Sequence, residues 1–197
     1  MKNTIIGAAG IFAFFAFFAV WAPQTAAAPV HNSCASLMAM KLPNTTITSA
    51  EEVTGGTVTP RGSRQLTGLS AFCRVEAVAR PAVNFEVWLP LDTWNGKFQG
   101  VGNGANAGTI SYPAMVTALK RGYATASTDT GHRTENARDG EWAIGHPELV
   151  VDFGYRAIHV TAENGKAIVD KFYSEPAKHS YFVACSTGGR QALMEAQ

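Results

Sequence analysis

The sequence predicts an α/β domain in which a mainly parallel sheet is covered by helices. Three observations carry that expectation. Strand-like and helix-like segments alternate from Val83 onward. A glycine-rich loop follows directly on a short strand ending at Val101, and Ser186, with small neighbours on each side, stands where a strand gives way to a helix. The 197 residues are 46% apolar and 16% charged, a composition that fits one globular domain and excludes a disordered or fibrous chain.

At the N-terminus, Lys2 supplies positive charge, Ile5 to Trp21 is an almost unbroken apolar run, and Pro23 to Ala28 ends in small residues. Residues 1–28 therefore read as an export signal, cleaved near Ala27 or Ala28. The run approaches the roughly 18 to 20 residues that span a bilayer, so an uncleaved anchor is the alternative; the small-residue cluster is what a peptidase needs. Export leads to an oxidising compartment, where three cysteines are informative. Cys34 and Cys73 can pair, closing a loop worth roughly 3 to 4 kcal/mol of denatured-state entropy. Cys185 then has no partner, which leaves a free thiol, an intermolecular bridge or a missing stretch of chain.

The elements follow in order. Asn32 or Ser33 can cap a short helix through Met40. Thr45 to Ser49 reads as a strand, and Ala71 to Ala79 alternates apolar and polar residues as an edge or hairpin strand does. Arg80 and Pro81 turn the chain into a strand over Asn84 to Leu89. Lys97 to Val101 is a short strand leading into Gly102-Asn103-Gly104-Ala105-Asn106-Ala107-Gly108, where missing side chains let a backbone bend and approach a ligand. Tyr112 to Arg121 has helical spacing and stops at Gly122; Tyr123 to Thr128 is a strand. The polar stretch from Asp129 to about Pro147 is long enough to be a functional loop. Phe153 to Tyr173 suits one amphipathic helix, in which Gly165 costs about 1 kcal/mol. Tyr181 to Ala184 reads as a short buried strand, and Gly188 to Gln197 begins a helix. No linker divides two domains.

Sixteen Lys and Arg against fifteen Asp and Glu leave a net charge of +1, and the basic residues are scattered. That removes the footprint expected for nucleic acid or anionic lipid, so a small, nearly neutral substrate is the natural partner, with no stable membrane association once the signal is removed.

Ala184-Cys185-Ser186-Thr187-Gly188-Gly189 is close to the G-x-S-x-G nucleophile elbow of α/β-hydrolases, with alanine at the first small position. A serine on that sharp turn projects its Oγ above the sheet, and small residues two positions away on each side let helix and strand approach. Thr187 offers a backbone N–H at the helix N-terminus to an oxyanion, and the Gly102, Asn103 and Gly104 loop can supply a second.

Four runs make the resemblance specific: Lys97-Phe98-Gln99-Gly100-Val101-Gly102-Asn103-Gly104, Ser127-Thr128-Asp129-Thr130-Gly131-His132, Asp152-Phe153-Gly154-Tyr155-Arg156-Ala157 and Cys185-Ser186-Thr187-Gly188-Gly189-Arg190-Gln191. In this order, over nearly all of the mature chain, they resemble the tannase and feruloyl esterase family, which also contains the hydrolase of mono(2-hydroxyethyl) terephthalate. The resemblance implies an exported, secreted or periplasmic, carboxylic ester hydrolase acting on galloyl, feruloyl or similar aromatic esters through an acyl-enzyme. Ser186 would be the nucleophile, and Cys185 would pair with a cysteine beside the catalytic histidine. The triad Asp, the His and that cysteine would lie beyond Gln197, so residues 29–197 would be the N-terminal part of an incomplete α/β-hydrolase domain. The family's inserted lid, which shapes the aromatic pocket and often holds calcium, would be absent too; catalysis itself takes no cofactor. The family usually has Gly where Ala184 stands, which puts one extra methyl into the elbow.

Asp129 and His132 invite assignment to the triad, but the chain order in α/β-hydrolases is Ser, acid, His, so a loop-structuring or pocket-lining role suits them better. His31, His146, His159 and His179 show no metal-ligand spacing with the cysteines. Gly100 to Ala105 formally satisfies G-x-G-x-x-A, as in a dinucleotide-binding oxidoreductase, but the loop runs on through Gly108 rather than opening a helix at once. A binding module that keeps the fold without the triad is the remaining alternative.

Overall fold

The computed structural model describes residues 30–197, apart from 107, 135 and 137; the expected export signal lies outside the described residues. Among the described residues eight strands form: β1 (Thr45–Val53), β2 (Thr57–Val58), β3 (Leu66–Thr67), β4 (Phe72–Ala79), β5 (Val83–Pro90), β6 (Lys97–Val101), β7 (Ala124–Thr128) and β8 (His179–Val183). The helices are α1 (Tyr112–Lys120), α2 (Pro147–Val151), α3 (Ala157–Tyr173) and α4 (Thr187–Ala196). Six strands make one sheet in the order β1-β4-β5-β7-β6-β8, and β2 and β3 pair separately as a small hairpin.

The sheet is mixed rather than mainly parallel. β1 with β4, β4 with β5 and β5 with β7 run antiparallel, and only β7 with β6 and β6 with β8 run parallel. The β4–β5 pair is antiparallel because the hairpin turning at Arg80 and Pro81 can only reverse the chain, whereas parallel neighbours need a crossover helix. That crossover is α1 between β6 and β7, and α3 with its preceding turns between β7 and β8. β4 is thus a hairpin strand, as its alternation suggests, yet it sits inside the sheet between β1 and β5.

Alternation sorts side chains onto two faces. On one, Phe85, Val87, Leu89, Phe98, Ala124 and Ala126 pack with Ala157, Ile168, Val169 and Phe172 of α3. On the other, Phe72, Trp88 and Val101 pack with Met115 and Leu119 of α1. Gly165 has a packing reason to sit inside α3: a Cβ there would come 2.9 Å from the Phe98 ring. Close approach of helix to sheet offsets its weak helix propensity.

β1 runs four residues past the expected Ser49, to Val53, and three further departures from the sequence reading have a physical reason. The first helix is a 3-10 helix over Cys34–Ala39, and Ser33 at its cap position makes no side-chain cap bond. Asn32 instead ties the N-terminal segment to the end of α3: its N–H donates to the Phe172 carbonyl, and its Nδ2 donates to the Lys171 carbonyl and Ser174 Oγ. The helix expected from Phe153 begins six residues earlier, at Pro147, and passes through a π-helical turn over Asp152–Arg156 before α3. Pro147 at the first helical position and Glu148 in the first turn are start signals, but α2 buries no residue and so leaves no periodic pattern. The third departure is β8, which is mostly exposed because it lies at the rim of the sheet, bonded only to β6 among the described residues.

The expected pairing of Cys34 with Cys73 is present, with both cysteines buried and their Cα atoms 5.6 Å apart. It links the first helical turn to β4 across 39 residues of chain. Replacing both cysteines by Ser is expected to lower the unfolding free energy by about 3 to 4 kcal/mol, read from denaturant titrations; an unchanged midpoint would show that the bridge adds nothing to the noncovalent packing around it.

Candidate active site

Ser186 sits between the last residue pair of β8 and the first turn of α4, with φ 57° and ψ −126°. Non-glycine residues avoid this region, and holding one there costs on the order of 1 to 3 kcal/mol. The side chain is exposed, and Ser186 Oγ bonds to no described side chain. The corner closes because backbone bonds run back across it: Gly188 N–H donates to the Cys185 carbonyl at 3.0 Å, and Gly189 and Arg190 N–H both donate to the Ser186 carbonyl at 2.9 and 3.3 Å. Of the four N–H groups that open α4, only that of Thr187 has no partner among the described residues. Cys185, beside the serine, is exposed and makes no disulfide.

The glycine loop after β6 packs directly on this corner. β6 and β8 are parallel neighbours in register, Val101 opposite Val183, so their C-terminal ends place the loop and the elbow side by side. A Cβ at Gly102 would lie 2.7 Å from Ala184 Cβ and 2.9 Å from Gly188 Cα; one at Gly188 would collide with Ala184 Cβ and stand 2.8 Å from the Asn103 carbonyl. Ala184 is accommodated because both residues facing its methyl lack side chains.

Hydrogen bonding sorts the loop amides. Gly102 N–H donates to the Val183 carbonyl at 3.3 Å, and Asn103 N–H donates to Gln191 Oε1 at 3.0 Å. Gly104 N–H has no partner among the described residues. The Asn103 side chain is buried and saturated: its Nδ2 donates to the Thr109 carbonyl at 2.6 Å and the Thr128 carbonyl at 2.9 Å, while its Oδ1 accepts from Gln191 Nε2 at 3.1 Å. Thr187 is therefore the open N–H donor of the first turn of α4, and Gly104 the open one among the loop's first three residues.

Asp129 and His132 organise the neighbouring loop. Asp129 accepts from Asn84 N–H at 3.0 Å, Asn84 Nδ2 at 2.7 Å and Gly131 N–H at 3.0 Å, with Arg133 at 3.6 Å. Burial nevertheless dominates and pushes its carboxyl up to about 6, against the opposing pull of those donors and of Arg133. His132 Nε2 donates to the Asn106 carbonyl at 2.9 Å, which fixes the proton on that nitrogen, and the ring stacks on Trp142 with centroids 3.8 Å apart. Phe153 abuts both rings. Arg190 of α4 reaches this cluster, 4.8 Å over the Phe153 ring, donating to the Gly154 carbonyl and, at 2.9 Å, to the Phe153 carbonyl.

Sequence reasoning assigns no role to Arg190 or Gln191. The signal available was position: four and five residues after Ser186, they fall one turn along α4. Three of the histidines away from the elbow have local partners. His31 stacks on Phe172, His146 pairs with Glu148, and His159 lies between Glu163 and Glu195. Among the described residues no group of three or more His, Cys, Asp or Glu comes together to hold a metal, and no helix is long and apolar enough to cross a membrane. The glycine loop does not open a helix in dinucleotide-binding fashion, since α1 begins only at Tyr112.

The sequence profile of the family described as tannase and feruloyl esterase matches residues 65–197. An uncharacterized esterase of Xanthomonas campestris pv. campestris is 46% identical over 169 residues, covering 84% of this chain and 29% of that protein. A probable feruloyl esterase B-2 of Neosartorya fischeri is 35% identical over 170 residues, covering 80% of this chain and 31% of that one. The crystal structure of feruloyl esterase B from Aspergillus oryzae superimposes with a TM-score of 0.73 at 32% identity, over 80% of this chain and 33% of the other. The chain thus spans about a third of the length of the relatives it matches.

Two consequences can be measured. Ser186→Gly removes the strain of the elbow and is expected to raise the unfolding free energy by about 1 kcal/mol or more, whereas Ser186→Ala keeps the side-chain clash and leaves stability nearly unchanged; equal effects of the two would show that the corner is unstrained. Because the Asp129 carboxyl is raised to about 6 from an ordinary 3.8, its stabilising contribution is complete below about pH 4 and is lost as pH rises through 6. From pH 4 to pH 7, stability should therefore fall by on the order of 3 kcal/mol relative to an Asp129→Asn variant, checked by parallel unfolding titrations. A pH-independent difference would place the carboxyl in its ordinary range.

Proposed function

The chain belongs to the tannase and feruloyl esterase family, and on that premise we propose that it carries the nucleophile and the oxyanion donors of an exported serine esterase acting on aromatic, phenolic acyl esters. The observation that carries this reading is the backbone of Ser186, held at φ 57° between a strand and a helix N-terminus. A binding module has no need of a strained serine at an exposed corner; a nucleophile does, because the turn lifts Oγ clear of the sheet into reach of a substrate carbonyl.

The chemistry then runs in two halves. Ser186 Oγ attacks the ester carbonyl while its proton passes to a histidine downstream in the chain, in the order Ser, acid, His. Negative charge builds on the carbonyl oxygen, where the open N–H groups of Thr187 and Gly104 and the N-terminal end of the α4 dipole receive it. Collapse breaks the bond to the alcohol, which takes the proton from the histidine and leaves an aromatic acyl group on Ser186. Water, deprotonated by the same histidine, repeats the addition on the acyl-enzyme; collapse breaks the bond to Ser186 Oγ, which takes the proton back from the histidine as the acid is released. The phenolic substrate class rests on the feruloyl esterase names of the relatives. The acid and the histidine belong, on this reading, to sequence following Gln197, with a cysteine that pairs with Cys185, so residues 30–197 alone are inactive. Residues 1–28 direct export.

A fluorophosphonate probe should label Ser186 in the natural-length protein, and Ser186→Ala should abolish both labelling and turnover of methyl ferulate or methyl gallate. Labelling that survives the substitution moves the nucleophile elsewhere. Turnover by residues 30–197 alone would mean that the acid and base lie within them.

A further inference from the structure

Gln191 is the one fully buried polar side chain of α4. It lies on the face that meets the glycine loop, and among the described residues its side chain bonds only to Asn103, through a reciprocal pair: Oε1 accepts the Asn103 N–H at 3.0 Å and Nε2 donates to Asn103 Oδ1 at 3.1 Å. Asn103 has no freedom left after that pairing, because its Nδ2 is shared between the carbonyls of Thr109 and Thr128. The pair also lies against the glycine contact, since a Cβ at Gly102 would come 2.7 Å from Gln191 Oε1. A single amide thus joins the helix that presents Ser186 to the loop that presents Gly104.

We propose that Gln191 is a positioning residue for the esterase reaction, which by occupying the Asn103 N–H leaves Gly104 rather than Asn103 open to the oxyanion and fixes its place relative to Ser186. This rests on the ester-hydrolysis reading above and adds to it. A loop free to slide would offer Asn103 N–H or Gly104 N–H in turn, neither held where charge develops. Fixed donors stabilise a transition state because they need no reorganisation at the moment of reaction. The role belongs to kcat rather than to KM, since the ground-state carbonyl carries little of the charge that the donor meets later.

The test uses the natural-length enzyme, with Ser186→Ala as the control for the reading beneath it. Gln191→Leu removes both bonds and is expected to lower kcat by about 30- to 300-fold, in line with the loss or displacement of one oxyanion donor, with KM changed less than about threefold. Gln191→Glu supplies a readout that a merely structural role does not move. Protonated, the glutamic acid keeps both bonds, its carbonyl accepting from Asn103 N–H and its hydroxyl donating to Asn103 Oδ1; ionised, it faces that oxygen with a second acceptor. The ratio of its kcat to that of the parent enzyme should be near one at acid pH and fall at least tenfold as pH rises, a slope absent from Gln191→Leu. Should Gln191→Leu fail to fold, the Gln191→Glu profile decides alone, since its acid form is isosteric with the parent. An unchanged kcat in Gln191→Leu, a loss confined to KM, or a flat Gln191→Glu ratio, with Ser186→Ala inactive, overturns the positioning role and leaves the esterase reading standing. Turnover that survives Ser186→Ala overturns both.

Discussion

Two stretches of backbone, one after β6 and one after β8, meet at the elbow without side chains between them, and the site exists only because they can. Parallel pairing of β6 with β8 brings Gly102 against Ala184 and Gly188 at distances that admit no further carbon. Everything that follows depends on that contact. It leaves only three residues between β8 and α4, the last of them Ser186 in the left-handed half of the backbone map, and it sets the glycine loop beside the elbow. The strain at Ser186 is held by the surrounding packing, as the strained residues of functional sites generally are.

Polar groups then do what the glycines cannot, which is to remove alternatives. The backbone contact alone would allow the loop to shift along the elbow. Gln191 and Asn103 close that freedom from one side, and Arg190, Phe153, Trp142 and His132 brace the loop at Asn106 from the other. The π-helical turn has a part in this: it exposes the Phe153 and Gly154 carbonyls that Arg190 satisfies, and such turns recur at functional sites for that sort of reason. Asp129 belongs to the same scheme one loop further on, holding Asn84 and Gly131 together at the end of β7.

Much of this was legible in the residues. β6, the glycine loop and the strand-serine-helix order could be read because small residues at fixed spacing have few other uses, and the pairing of Cys34 with Cys73 followed from position in the chain. Other features were not legible, for identifiable causes. The antiparallel entry of β5 beside β7 depends on which strands become neighbours, and no local pattern encodes that. β8 looks like a core strand because Tyr181, Phe182 and Val183 are apolar, yet burial is decided by whether a further layer covers it. α2 has start signals but no buried face. Gln191 was invisible as a functional residue, since a glutamine on a helix is ordinarily solvated and only its depth against Asn103 distinguishes it.

The outer rim of β8 bears on how the protein can be handled. Its peptide groups on that side are unpaired among the described residues, and Tyr181 and Val183 stand 45% and 52% exposed along it, with Leu193 of α4 nearby in sequence at 70%. A naked strand of this kind recruits another strand, whatever chain it comes from. Residues 30–197 produced alone at high concentration would therefore tend to precipitate through this rim, and a soluble preparation calls for a covering element or for charged replacements at Tyr181 and Val183.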